Sequence, residues 1–201
     1  MRATLDKLIS WTGILLAVVL LIAGALLSWA SVFIGNQVHD QLAAQHITMP
    51  SDKTGLADLP AADKAALEKY SGQQLTTGPQ ARAYADHFIA VHLDEAAGGQ
   101  TYSEVSGQYI AQCTADPKAA ATQECQTLSG QRQTLFMGET LRGLLLYGFA
   151  FATIGTIAGY AAIVAFVAAA ALIALAAFGM WHARRAAQSV AAEGQPAGAH
   201  V

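Results

Sequence analysis

No Lys, Arg, Asp or Glu occurs between Gly143 and Ala183, and none between Leu8 and Gln37. Two charge-free apolar blocks constrain this chain more than any motif. A bilayer core of roughly 30 Å takes about 20 helical residues at about 1.5 Å each. Only 12% of the 201 residues are charged, against about a quarter in ordinary chains, and 54% are hydrophobic. Such a composition excludes a disordered chain. A net charge of −3, from 11 Lys+Arg against 14 Asp+Glu, speaks against nucleic-acid binding. The hydrophobicity is gathered in two blocks instead of being spread periodically, which argues against a soluble one-core globule. The expected fold is an all-α membrane protein: two transmembrane helices with a small helical extracytoplasmic domain between them.

Residues 1–7 form a short N-terminus carrying Arg2 and Lys7, and the first span covers residues 8–30. Trp11 and Trp29 are 18 residues apart, roughly 27 Å of helix. Both then lie at interfaces, where indoles prefer to sit. A cleaved signal peptide ending at Ser28-Trp29-Ala30 is the alternative. Its apolar region would be about 7–15 residues, and this one runs past 20.

The second block exceeds one span, since about 40 residues of helix reach roughly 60 Å. It is either a hairpin broken near Gly155 to Gly159 or one long helix with an inner half in the bilayer. Short flanks rich in Lys and Arg stay cytoplasmic. One span keeps Arg184 and Arg185 on the same side as Arg2 and Lys7, whereas a hairpin separates them. Tyr160 and Trp181 make a second matched aromatic pair. The expectation is a single span over residues 160–181, an extramembrane apolar stretch over 143–159 and a disordered cytoplasmic tail over 182–201. The apolar stretch needs cover, from the loop domain through Tyr84, Phe88, Tyr102 and Tyr109, from the first helix, or from another subunit.

Gln37 to Arg142 holds 7 Lys+Arg and 12 Asp+Glu, an acidic segment between basic-flanked spans. Residues 31–142 therefore read as one small outside domain in a multi-pass plasma-membrane protein with both ends in the cytoplasm, and residues of about 31–159 lie outside. Its punctuation is helical. Leu59-Pro60 opens a helix that Gly72 closes. Thr77-Gly78-Pro79 opens a second, ended by Gly98-Gly99. Thr101 and Glu104 fit a capping box that opens a third. Asp116-Pro117 opens a fourth, which runs on through Ser129-Gly130 into the long C-terminal helix. No alternation of the strand type is present.

Cys113 and Cys125 are the only cysteines, and both fall in the outside segment. A disulfide is the simplest reading of an even pair in an oxidising compartment. Asp116-Pro117 turns the chain between two helices that would present the sulfurs to each other. Free thiols, or a zinc site lacking its second ligand pair, are the weaker alternatives. His87 and His92 are weak metal candidates. Five residues apart, they lie about 140° around a helix at roughly 100° per residue, whereas paired ligands on one helix stand three or four apart. His92 falls in the apolar stripe with Tyr84, Ala85, Phe88 and Ile89 and reads as a core histidine, while His87 lies on the wetter edge. No nucleophile elbow, phosphate loop or dinucleotide fingerprint occurs, so a non-enzymatic chain without cofactor is expected. Neither span carries an ionisable Asp, Glu, Lys, Arg or His, which speaks against a pump or carrier.

Small residues mark helix packing. Gly155 and Gly159 form a close-approach pair, extended by Gly148 and Ala152. Gly24 and Ser28 repeat the spacing on the first span. The first reading is contact between this chain's own two helices, and the second is self-association.

The runs Thr77-Gly-Pro-Gln-Ala-Arg-Ala-Tyr-Ala-Asp-His87 and Arg132-Gln-Thr-Leu-Phe-Met-Gly-Glu-Thr-Leu-Arg-Gly143, set between two such spans, resemble a group of uncharacterised actinobacterial two-span membrane proteins. The resemblance covers roughly residues 1–185. Proteins of the group are sometimes labelled aromatic ring-opening dioxygenases. Such enzymes hold iron with two His and a carboxylate, a triad this loop does not offer. The resemblance implies two spans and brings no catalytic residues.

The function expected from all of this is a membrane-anchored helical module. It would serve as an accessory subunit or partner-binding envelope protein, in contact with the bilayer and with a protein partner or its own copies. A self-assembling channel or scaffold and an outside ligand or metal sensor are the alternatives.

Overall fold

The computed structural model describes residues 2–193, whose regular elements are all helical, with no strand among them. The order is α1 (Arg2–Ala43), α2 (Ala61–Glu68), α3 (Gly78–Tyr84), a π turn (Ala85–Ile89), α4 (Ala90–Ala97), α5 (Tyr102–Cys113), α6 (Pro117–Ala120) and α7 (Gln123–Glu193). Two of these, over Thr4–Ala43 and Gln123–Arg185, are long and apolar enough to cross a membrane. The chain divides into two compact units. A helix-pair unit joins α1 up to Phe33 with α7 from Gly155, and a loop unit spans Ile34–Ile154.

Helix α7 is unbroken for 71 residues. It contains no proline, and an interior glycine costs only about 1 kcal/mol, so Gly155 and Gly159 do not break it into a hairpin. The disordered tail expected from residue 182 is corrected as far as Glu193, which still belongs to α7. The remaining residues, 194–201, lie outside the described ones. Helix α1 stops where His46 takes a left-handed conformation (φ 52°).

In the loop unit the caps follow the sequence. The Thr77 hydroxyl accepts from Gln80 N, and the Gln80 side chain reaches back to the Thr77 N–H at 3.0 Å. Thr101 and Glu104 do the same for α5. Asp116 caps α6 through the Lys118 N–H at 2.9 Å. The fourth predicted helix is interrupted: α6 ends at Ala120, and Thr122 starts a new helix before Gly130 is reached. A short antiparallel pairing escaped the sequence reading. Met49 N–H donates to Gln73 at 2.8 Å and Leu75 N–H to Ile47 at 2.8 Å, which ties the segment after α1 to the segment before α3.

The core of this unit is built from Leu42, Met49, Leu56, Leu67, Leu75, Val105, Leu128, Leu135 and Leu145, with Tyr84, Phe88 and Tyr109 packed against it. The π turn explains its register. Ala81, Ala85, Ile89, Leu93 and Ala97 are all buried and stand four apart. In a plain α-helix four residues cover about 400°, so such a series drifts off its face. The wider turn over Ala85–Ile89 takes up the drift.

Candidate interaction interface

Within the helix-pair unit, α1 and α7 run antiparallel. Ser10 lies against Gly179, Gly13 against Ala176, Gly24 against the Phe166 ring and Ser31 against Gly159. The pairs march in opposite directions at constant register. Trp11 and Trp181 therefore come within a turn of one level, and Trp29 and Tyr160 within a turn of another. All four rings are exposed. Arg185 stands 3.9 Å over the Trp181 ring, and Trp29 stacks on Phe33 at 5.4 Å.

The residues turned inward repeat at alternating steps of three and four. On α7 they are Ala162, Ala165, Ala169, Leu172, Ala176, Gly179 and Ala183, and on α1 Ser10, Gly13, Ala17, Leu20, Gly24, Leu27 and Ser31. This is the 3.5-residue period of a left-handed helix pair. The Ser31 hydroxyl donates to the Gly155 carbonyl at 2.7 Å. A methyl on Gly24 would meet Phe166 at 2.9 Å, and one on Gly159 would meet the Ser31 hydroxyl at 2.9 Å. Gly24, Gly155 and Gly159 are thus brought into contact by this chain's own two helices, and Ser28 is half-buried beside them. The sequence reading missed Ser10, Gly13, Ser31, Gly179 and the alanine series. The signal was present in the unbroken three-and-four spacing, masked by the abundance of alanine.

In the loop unit, α7 presents a filled face. Leu128, Leu135 and Leu145 are buried. The Gln131 amide donates to the Ala96 carbonyl at 3.2 Å, and Gly138 receives the Leu93 side chain. Arg142 reaches Asp86 at 3.3 Å and Glu139 at 3.5 Å, while Arg82 approaches Asp86 at 3.6 Å. The Arg142 Nε is buried without a hydrogen-bond partner. Phe149 lies 5.0 Å beneath the Arg82 guanidinium. Gly78 packs on Phe149 and Ala152, with no room for a side chain there, and Gly148 faces Leu42. Gly148 thus packs between this chain's own two long helices, through Leu42 of α1, whereas Ala152 takes the Gly78 turn and does not meet α1 here. The sequence 128, 131, 135, 138, 142, 145, 149, 152 is again three-and-four.

The opposite face of the same stretch is bare. Leu144 is 62% exposed, Tyr147 66%, Phe151 56% and Ile154 53%, with Phe136 and Met137 equally open. Within the chain, one face of the apolar stretch is covered, by the loop segment and α1, and the other is not. The Thr77–Gly78 turn, the π turn and α4 all meet the Gly138-to-Ala152 face, and only Tyr102 of α5 reaches the edge of the other, at Phe136. Of the four aromatics expected as cover, Tyr102 reaches Phe136 at 5.9 Å and Tyr109 takes Arg132 at 4.3 Å. Tyr84 and Phe88 stack on each other at 4.9 Å. Burial holds the Tyr84 phenol above its ordinary pKa.

The cysteines stand at disulfide distance, at the end of α5 and the start of α7, with Cα atoms 5.6 Å apart and both side chains buried. That separation lies at the centre of the usual range.

The histidine assignments are reversed. His92 is exposed, with its Nδ1 2.7 Å from the Phe88 carbonyl and its ring 4.3 Å from that of Phe88. His87 is the more enclosed one, 2.8 Å from the Asp63 carboxylate of α2. The π turn rotates Leu93 inward in place of His92. Among the described residues no three His, Cys, Asp or Glu side chains gather to hold a metal.

Comparison with protein-family models, with curated proteins and with solved structures finds no match to this chain.

Proposed function

We propose that the chain is a two-span membrane protein with both ends in the cytoplasm and the loop unit outside, working as a non-enzymatic docking module. The observation that carries the docking reading is the bare face of α7, with Leu144, Tyr147, Phe151 and Ile154 more than half exposed opposite a face fully used by the module's own core. Single apolar residues on a surface need no explanation, but a contiguous file of them marks an interface.

The membrane reading is supported by the levels of the aromatic anchors and by the flanking charges. Arg2, Lys7, Arg184 and Arg185 bracket the two apolar helices, as cytoplasmic flanks do. Alanine, glycine and serine on the facing sides suit helices in lipid, where close backbone approach replaces the hydrophobic drive. The paired cysteines suit an oxidising exterior.

The test is a double variant, Leu144→Asp with Phe151→Asp, in the full chain. The expected result is unchanged protease resistance of the loop unit together with a lower native mass in mild detergent. Unchanged mass would end the docking reading. Reporter fusions after Arg185 should read cytoplasmic and those near Gly72 outside, and a fusion after Arg185 that reads outside would overturn the topology.

A further inference from the structure

We propose that the bare face of α7 pairs two copies of this chain, parallel and in register, about a two-fold axis along the membrane normal. The pairing rests on the topology proposed above. Two chains anchored with the same orientation in one bilayer offer each other the same face at the same height, as an isologous interface requires.

The spacing points to a helix as the occupant. Gln133, Met137, Thr140, Leu144, Tyr147, Phe151 and Ile154 follow steps of four and three without a break, three heptads and roughly 31 Å of helix. A 3.5-residue period keeps side chains facing a single partner helix, and contact with lipid tails sets no such period. The Thr140 hydroxyl within the file is satisfied by its own helix, donating to the Phe136 carbonyl at 2.6 Å.

The flanks point to a second copy. Phe136, Gly143 and Ala150 line one side, Leu141 and Gly148 the other, and none is charged. Charges at these positions are what direct a coiled coil to a different partner. In a parallel pair the central file meets its own copy and each flank meets the opposite flank of the other chain; with no charge on either flank, a second copy meets no like charge and no unpaired one. Gly143 and Ala150, seven residues apart, allow the backbones to come close. Leu42 covers Gly148 at the edge and leaves the file itself open. The five large apolar side chains of the file together with Phe136 at its edge, each more than half exposed, offer on the order of 600 Å² per copy, the lower end of a specific interface. Anchoring in one membrane raises the effective concentration of the two faces.

The experiment is a cysteine scan in the full chain, in native membranes, with Cys113 and Cys125 left in place and copper-phenanthroline as oxidant. Met137→Cys, Leu144→Cys, Tyr147→Cys and Phe151→Cys should give a product of twice the chain mass. Glu139→Cys and Thr153→Cys, a third of a turn or more away, should give at least tenfold less. A flat profile, or a product of any other mass, overturns the pairing while leaving the topology intact, provided a membrane-impermeant maleimide still labels Leu144→Cys from outside. Labelling from the cytoplasmic side alone overturns the topology and the pairing together. As a check independent of cysteine, Leu144→Lys and Leu144→Glu should each abolish pairing at least tenfold when alone. Co-expressed with different tags, they should pair again, and failure to do so overturns a contact of Leu144 with its own copy.

Discussion

The two units of this chain are held together by opposite kinds of side chain. Where α1 and α7 pair in the helix-pair unit, the inward residues are mostly alanine, glycine and serine, with Leu20, Leu27 and Leu172 among them, while most of the Leu, Ile and Val residues and the Trp rings face outward. In the loop unit Leu, Met and Val are inward, clasped by the cysteine pair, by the Asp86–Arg142 ion pair and by the 2.8 Å contact of His87 with Asp63. The same helix, α7, obeys both patterns along its length. On the reading proposed here, the change of solvent explains the inversion. In water, burying a large apolar side chain contributes about 1.5–3 kcal/mol. In lipid that term vanishes between helices, and what remains is the closeness that small residues permit.

That contrast can be broken by substitution, starting where the effect is largest. Leu67 is fully buried, so Leu67→Ala should lower loop-unit stability by about 2–5 kcal/mol, read by denaturant titration followed by proteolysis. A loss under 1 kcal/mol would show that this unit does not rest on its apolar core. Next, Cys113→Ser opens a 13-residue loop and should cost about 3 kcal/mol. The check is the shift in denaturation midpoint, set beside a thiol count on unreduced, unfolded protein, which should find none in the parent chain.

In the helix-pair unit the direction reverses. Enlarging a residue there should hurt more than shrinking one. Gly24→Leu would drive a side chain into the Phe166 ring and should cost about 1–3 kcal/mol, whereas Leu20→Ala should cost less than that. Cross-linking between cysteines placed at Gly13 and Ala176, which face each other away from both substitutions, reports the pairing. Equal effects of the two variants would remove the distinction between the units.

The smallest expected effect is at the cap of α5. Thr101→Ala should cost about 1 kcal/mol. The Thr101 N–H donates to the Glu104 carboxylate at 2.7 Å and the Thr101 hydroxyl at 2.8 Å, which together hold that carboxyl below its ordinary pKa. The folded value lies below the unfolded one. The contribution is therefore full above the usual glutamate value, about 4.3, and is lost as pH falls through the folded value. Stability of Glu104→Gln and of the parent chain should converge in acid and separate toward neutral pH.

Much of this molecule is written locally in its sequence. Thr77, Thr101 and Asp116 mark helix starts because a side-chain oxygen can reach an N–H two or three residues on, whatever the rest of the chain does. The apolar blocks and their flanking arginines are likewise readable from composition and length alone. Cys113 and Cys125 could be paired on paper because they are the only two cysteines and lie close in sequence on either side of the Asp116-Pro117 turn. The rest depended on what each element met. Whether His87 or His92 faces inward was decided by a π turn that exists because α3 and α4 both rest on α7. The face of α7 that takes the loop core, and the face that stays bare, carry equally apolar residues at the same 3.5-residue spacing. Periodicity states that a face is wanted by a helix, but only the tertiary structure decides which of two such faces is already filled, because filling depends on contacts between residues more than fifty positions apart, such as Arg142 with Asp86 and Ala152 with Gly78.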